Sequence, residues 1–167
     1  MDRYLQELQQ AIAAATSGMT AEQLTLHPDG KWCVAEVLEH LYLTYRGTVK
    51  GCERCLEQNK ALARTRTFPD RVRTTVVVSF GYMPEGRKAP EFSTPAGMPA
   101  DDVVKAIESE LAAMDSAITQ CEARFGQNTR IFDHPVLGPL TAGQWRKFHW
   151  VHGRHHVKQI SKLRNQH

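Results

Sequence analysis

Four of the eight histidines fall within residues 149–160, which read HWVHGRHHVKQI. At about 100° per residue, His152 and His156 lie one turn apart on the same face of a helix. The same projection places further side chains on this face: Trp145, Phe148, His149, Gln159 and Leu163. The histidines therefore interrupt an apolar stripe instead of a solvated face. A buried polar group without a partner costs about 1–3 kcal/mol, and one shared metal ion would give several imidazoles a partner at once.

A metal site with open coordination positions needs a third ligand, and the best candidate is His40 on another predicted helix. The alternative is that a backbone carbonyl, a carboxylate or water satisfies each imidazole, and the residues alone leave both interpretations open. His149 could replace one ligand or act as a catalytic acid or base. Glu36, one turn before His40, could move a proton or orient a ligand, or it could be a plain surface residue.

Apolar residues that recur every three or four positions predict an all-α chain with four long helices. Thr141 and Gln144 form a capping-box pattern that starts the last helix, and Gly126 is a typical stop for the third. The predicted helices cover about residues 2–17, from 31–34 to 62, from just after 99–102 to 125, and 141–165, with a short helical turn near 20–24.

The connection formed by residues 64–98 has no helical period, and a connection of this length is often functional. It could be a lid over the site or an arm of a dimer, and an ordinary crossover between helices is the alternative. Residues 74–80 favour a strand, but one such run cannot make a sheet. Residues 132–140 predict a rigid loop before the last helix.

The composition of the 167 residues fits one globular domain that spans 1–167. A net charge of +3 is too small to indicate nucleic-acid binding. No apolar run approaches the ~20 residues that span a bilayer, and no secretion signal is recognisable, so we expect a cytoplasmic protein without a membrane partner. Cys52 and Cys55 form an isolated C-x-x-C, which indicates two small half-buried residues more than a redox or zinc motif.

Two segments resemble the DinB/YfiT-like superfamily of metalloenzymes. Residues 31–41, KWCVAEVLEHL, are similar to that family's Trp-Ser-x-x-Glu-x-x-x-His-Leu helix, with Cys33 in place of the common Ser. Residues 134–141, HPVLGPLT, lead to His152-x-x-x-His156-x-x-Gln159-Ile160, which resembles the family's C-terminal helix. The order and separation of these pieces fit the family over nearly the whole chain.

The resemblance implies an up-down-down-up four-helix bundle with a long crossover connection, often as a homodimer. It also implies a divalent metal ion, commonly zinc or nickel, bound by three histidines and water; the matching positions are His40, His152 and His156. Characterised relatives include bacillithiol S-transferases and mycothiol-dependent maleylpyruvate isomerases. We therefore expect a metal-dependent enzyme for a small-molecule substrate, either a low-molecular-weight thiol in an S-transfer or a hydrolysed compound.

Two alternatives stay open at this stage. The chain could be a non-catalytic bundle protein of the stress response that binds a metal or small molecule, in which case a fourth protein ligand would close the site. It could also be a structural or interaction protein whose histidines are merely hydrogen-bonded.

Overall fold

The computed structural model describes residues 1–28, 30–83 and 88–165. This part of the chain is mostly helical, as predicted, and also contains a small sheet that the sequence does not predict. The helices are α1 (Arg3–Thr16), α2 (Ala21–Thr25), α3 (Val34–Glu57), α4 (Phe68–Thr74), α5 (Ala100–Phe125) and α6 (Ala142–Arg164). The strands are β1 (Arg130–His134) and β2 (Gly138–Thr141), and the α3–α5 connection adds a π-helical turn (Thr75–Ser79) and a 3-10 turn (Glu91–Ser93).

The helix ends follow the predicted capping signals. Thr141 accepts a hydrogen bond from the backbone N–H of Gln144, whose side chain returns to the N–H of Thr141. Thr20 and Gln23 form the same capping box at α2. Gly126 ends α5 with a φ of 93°, a left-handed conformation that favours glycine. These local signals fix where the long helices start and stop.

The core lies between the four long helices, with α3 packed along α5 and α1 along α6. Its largest fully buried side chains include Leu5, Leu8, Leu41, Tyr45, Met114, Ile118 and Ile160. The α1–α6 approach depends on Gly153, because a Cβ there would lie 2.4 Å from Cδ1 of Leu8. Among the described residues, no helix is both long enough and apolar enough to cross a membrane.

Helix α3 ends at Glu57, several residues before the predicted end near 62. Asn59 takes a left-handed φ of 50°, which breaks the helix. The chain then runs along the sheet, where the N–H groups of Leu62 and Ala63 both donate to the carbonyl of Ile131, at 2.7 and 3.1 Å. The apolar Leu62 extended the helical pattern in the sequence, but its backbone belongs to the edge of β1.

The predicted loop at 132–140 is a β-hairpin. Strand β1 pairs with β2 in antiparallel register, with Phe132 opposite Leu140 and Asp133 opposite Pro139. Ile131, Phe132 and Leu140 are buried, so the hairpin brings apolar side chains to the core. A proline is tolerated because a two-stranded sheet consists only of edge strands, and this proline obscured the strand in the sequence.

Residues 74–80 form no strand. Thr67 caps α4 through the backbone N–H of Asp70, and the π-helical turn continues this helix. The buried Asp70 carboxylate holds the segment in place: it accepts hydrogen bonds from Arg64 at 2.7 and 2.9 Å, and from the hydroxyl of Thr67 at 2.7 Å. The Thr74 hydroxyl also donates to the carbonyl of Leu137 at 3.2 Å, and these contacts together override the β-propensity of the valine run.

We expect Gly153→Ala to lower the free energy of unfolding by about 1–3 kcal/mol, because the new methyl group would overlap the buried Leu8. Urea unfolding of metal-free protein measures this. Gly143→Ala is the matched control, since Gly143 lies in the same helix with open space around its Cβ position. The double variant Leu8→Ala/Gly153→Ala should lose less stability than the sum of the losses of the two single variants, because the smaller side chain at position 8 leaves room for the new methyl group. Equal stability of Gly153→Ala and Gly143→Ala would contradict the close α1–α6 contact.

The Arg64 guanidinium, followed by the Thr67 backbone N–H, lowers the pKa of Asp70 far below its usual range. A carboxyl whose folded-state pKa is lowered stabilises the fold above its unfolded pKa of about 4, and this contribution is lost as the pH falls below that value. Asp70→Asn should therefore be less stable than wild type at pH 7, with a difference that shrinks by pH 3. Urea unfolding at both pH values measures this, and a difference that does not change with pH would exclude the ionised Asp70 as its source.

Candidate metal centre

Helices α3 and α6 bring three imidazoles together in the core. The Nε2 atom of His152 lies 3.2 Å from Nε2 of His40 and 3.1 Å from Nε2 of His156. All three ligand atoms lie within 4.8 Å of one another. Three nitrogens bound to one tetrahedral zinc ion at about 2.0–2.1 Å would be separated by about 3.3 Å. The observed spacing is therefore close to that of one coordination sphere.

Hydrogen bonds to the outer nitrogens orient two of these rings. Nδ1–H of His40 donates to the carbonyl oxygen of Ser93 at 2.7 Å, and Nδ1–H of His156 donates to Oε1 of Gln159 at 3.0 Å. Because the outer nitrogen carries the proton, each Nε2 presents a lone pair to the group. Metal-binding histidines typically have this arrangement, in which a second partner fixes the tautomer and the ring.

The hydrogen-bonding of the three imidazoles suits a bound cation better than it suits direct contact between the rings. If His152 carries its proton on Nε2, its Nδ1 is a buried acceptor with no partner among the described residues. If the proton is on Nδ1, that donor is unpaired and three lone pairs converge. Either tautomer leaves a buried polar group unsatisfied, at a cost of about 1–3 kcal/mol. A divalent ion at the shared point would accept all three lone pairs and remove their mutual repulsion, while the Nδ1–H of His152 would stay without a partner among the described residues.

Burial keeps the three imidazoles neutral, the form that binds metals. Burial lowers the pKa of His40 and, with the neighbouring His40 ring, lowers the pKa of His156 to about 3. Burial and then the charges that His156 and His40 would carry lower the pKa of His152 well below its usual value. At neutral pH a metal ion therefore meets three neutral imidazoles and does not have to compete with the proton of a charged imidazolium.

The connection between α3 and α5 is part of this site. The carbonyl of Ser93 contacts His40, and the backbone N–H groups of residues 96–98 donate to the carboxylate of Glu39 at 2.9, 3.1 and 3.0 Å. Glu39 is buried next to His40 in sequence, so residues 93–98 are fastened to α3 around this ligand. Residues 84–87 of the predicted lid or arm lie outside the described residues. Sequence reasoning missed Glu39, although a carboxylate between Leu38 and Leu41 in an apolar stretch was a usable signal.

His149 lies outside the group. Its ring has no exposed surface, its Nε2 atom is 2.9 Å from Oγ1 of Thr48, and burial lowers its pKa to about 3. The structure therefore places His149 in the packed core beside Thr48, and its role as an acid or base stays a prediction.

Glu36 caps its own helix. Its carboxylate accepts the backbone N–H of Cys33 at 2.9 Å and lies 3.5 Å from Nδ1 of His27. Among the described residues it makes no hydrogen bond to His40, His152 or His156, and its proton-transfer or orienting role stays a prediction. A second group has its ligand atoms within 4.8 Å of one another and consists of His27, Cys33 and Glu36. It is the weaker metal site, because His27 is exposed and the Glu36 carboxylate already caps the helix.

We expect Glu39→Gln to release residues 96–98 from α3, because hydrogen bonds to a charged acceptor contribute about 1.5–3 kcal/mol. Hydrogen–deuterium exchange of these amides should accelerate by about tenfold or more. Glu53→Gln, an exposed change on the same helix, is the control and should leave their exchange unchanged. Unaltered exchange in Glu39→Gln would mean that other contacts hold the segment.

The comparisons with known proteins give a family without a described activity. No curated protein and no solved structure shows significant similarity to the chain. A family model described as a protein of unknown function, DUF1569, matches residues 2–163, nearly the whole chain and all three histidines of the group. The chain therefore belongs to the DUF1569 family.

Proposed function

We propose that His40, His152 and His156 bind a divalent metal ion, zinc or nickel, and that the loaded site is the centre of a metal-dependent enzyme. The observation that carries this proposal is that the Nε2 atoms of three imidazoles converge. The Nδ1 atoms of two of these rings are hydrogen-bonded, and the Nδ1 atom of the third is buried. A divalent ion bound there would supply the Lewis-acid chemistry used in hydrolysis and in thiol transfer.

The protein's own groups prepare the site for such an ion. The Ser93 carbonyl and the Gln159 amide oxygen fix two rings from outside, which makes their Nε2 atoms more basic. The Phe148 ring stacks on the His152 imidazole at 5.4 Å and keeps water from that side. The described residues thus provide orientation and partial desolvation before any ion binds.

The main alternative is a non-catalytic protein that binds a metal or small molecule, with a closed site. Closed structural zinc sites usually have four protein ligands, whereas catalytic sites keep a position open. Within the described part of the chain the group contains three side chains, and His149, the predicted fourth ligand, hydrogen-bonds to Thr48 instead. This observation favours the enzyme.

We further propose that the fold is a DinB-like up-down-down-up bundle and that the chain works as a cytoplasmic homodimer. The order of four long helices, the long connection between α3 and α5, and candidate ligands at the positions that the resemblance implies support the bundle. The homodimer is what the resemblance implies, and the cytoplasmic location is the expectation from the sequence. A small-molecule substrate, either a low-molecular-weight thiol or a hydrolysable compound, is proposed on the same basis.

Metal analysis tests the site. Protein purified without a histidine tag should contain or take up close to one zinc or nickel ion per chain, and His40→Ala, His152→Ala and His156→Ala should each lose most of it. His155→Ala is the control, because His155 lies beside His156 but outside the group. Far-ultraviolet circular dichroism confirms that each variant is folded. Wild-type protein that refuses both ions, or variants that keep them, would exclude the proposed site.

Turnover tests the reaction. Zinc- or nickel-loaded protein should conjugate low-molecular-weight thiols to electrophiles or hydrolyse members of an ester and amide panel, and His152→Ala should not. Loaded protein without activity above that of His152→Ala would favour the non-catalytic alternative.

A further inference from the structure

A cleft with a volume of about 330 Å³ lies beside the three-histidine group. Its walls come from α3 between Thr44 and Arg54, from Trp145 and Phe148 on α6, and from Phe92 in the α3–α5 connection. The hairpin residues 132–135 complete it. The volume is in the range of pockets that accept small organic molecules.

Three walls of this cleft touch the metal ligands or their partners. Phe148 stacks on His152 with an interplanar angle of 10°. Thr44 is one turn from His40 and donates its hydroxyl to the His40 carbonyl at 2.8 Å. Phe92 precedes Ser93, the residue whose carbonyl orients His40. A molecule in the cleft is therefore a neighbour of the site proposed above.

Gly47 keeps the cleft open. It lines the cleft on α3, and a Cβ there would make ordinary contact with the Phe92 ring at 3.5 Å. A larger side chain at this position would occupy the cleft volume. Gly51 differs, since a Cβ there would lie 2.5 Å from the Phe132 ring, so that glycine serves packing.

The cleft combines aromatic walls with a hydrogen-bond donor. His134 accepts the N–H groups of Val136 and Leu137 on Nδ1, both at 3.1 Å, so its Nε2 carries the proton. Burial lowers the pKa of His134 to about 4, which leaves the ring neutral. This donor suits an acceptor on a bound molecule.

The charge of the cleft is positive. Lys50 and Arg54 line it as exposed side chains, and neither forms an ion pair within the described ranges. The acidic lining residue, Asp133, is already paired with Arg64 at 3.4 Å. An anionic group on a ligand would therefore meet two cations and no free carboxylate of the lining.

We propose that this cleft binds an aromatic carboxylate, with its ring between Phe92, Phe148 and Trp145 and its carboxylate toward Lys50 and Arg54. This proposal extends the proposed function: the cleft would hold the aromatic, anionic part of the substrate beside the metal. The binding step itself needs no metal, so it can be tested separately.

Calorimetric titration of metal-free protein with 2-naphthoate tests the binding site. Gly47→Leu should weaken binding by about tenfold or more, because the leucine fills the cleft and the change from glycine favours the helix. Gly143→Leu is the matched control, a glycine of α6 with open surroundings, and should bind as wild type does. Lys50→Met/Arg54→Met should weaken binding about threefold or more, as expected for exposed charges. Uncharged 2-naphthylmethanol should bind more weakly than 2-naphthoate and respond little to this double variant.

Proton relaxation of 2-naphthoate with Co²⁺-loaded protein, compared with Zn²⁺-loaded protein, tests the position beside the metal. Binding that Gly47→Leu removes, together with enhanced relaxation by Co²⁺, supports the proposal. Absent binding, equal binding by Gly47→Leu and wild type, or bound naphthoate without enhanced relaxation in cobalt-loaded protein would overturn it. Protein that binds naphthoate in the metal-free form but takes up no Co²⁺ would keep the aromatic carboxylate site and remove the metal centre, which separates the two failures.

Discussion

Burying imidazoles against one another costs free energy unless each nitrogen finds a partner, and this constraint organises the centre of the molecule. His40 comes from α3 and His156 from α6, and each donates its outer N–H to an oxygen that holds the ring. His152 stands between them, with its Nε2 close to both of theirs. No choice of tautomer satisfies every nitrogen. The helices α3 and α6 thus meet at a point where three imidazoles could hold a cation.

The same point explains the course of the long connection. Its backbone supplies the oxygen that orients His40, and the Glu39 carboxylate binds its next N–H groups. Through Phe92 the connection also forms one wall of the aromatic cleft. The last part of this connection is therefore positioned by two buried polar residues of α3, and it links the candidate metal centre to the cleft. The close packing of Leu8 on Gly153 holds α1 against α6 behind the site.

The helix periods and caps were predictable because they depend on local chemistry. The capping boxes at Thr20 and Thr141 and the stop at Gly126 lie where the sequence places them. His152 and His156 were found through a spacing that any helix turns into proximity. Their meeting with His40 rested on a resemblance and on the general need for a third ligand.

The contacts between distant segments were not predictable from local patterns. The sequence pattern predicts a helix at Leu62, but its N–H donates to the carbonyl of Ile131. The sequence pattern predicts no strand at Pro139, which lies in the hairpin. Glu36 looks suited to catalysis in sequence because it is one turn from His40, but the helix N-terminus uses its carboxylate. His149 shares a helical face with the candidate ligands, yet it is buried beside Thr48. For Leu62 and His149 the deciding partner is far away in the sequence, whereas Glu36 bonds to the backbone three residues before it.

X-ray absorption spectroscopy at the zinc edge of zinc-loaded protein tests the central claim most directly. The account predicts three imidazole nitrogens at about 2.0–2.1 Å with the remaining shell made of oxygen, and loss of this signature in His152→Ala. A sulfur shell at about 2.3 Å would instead place the ion at a cysteine such as Cys33. That result, or a spectrum unchanged in His152→Ala, would contradict a metal centre built from His40, His152 and His156.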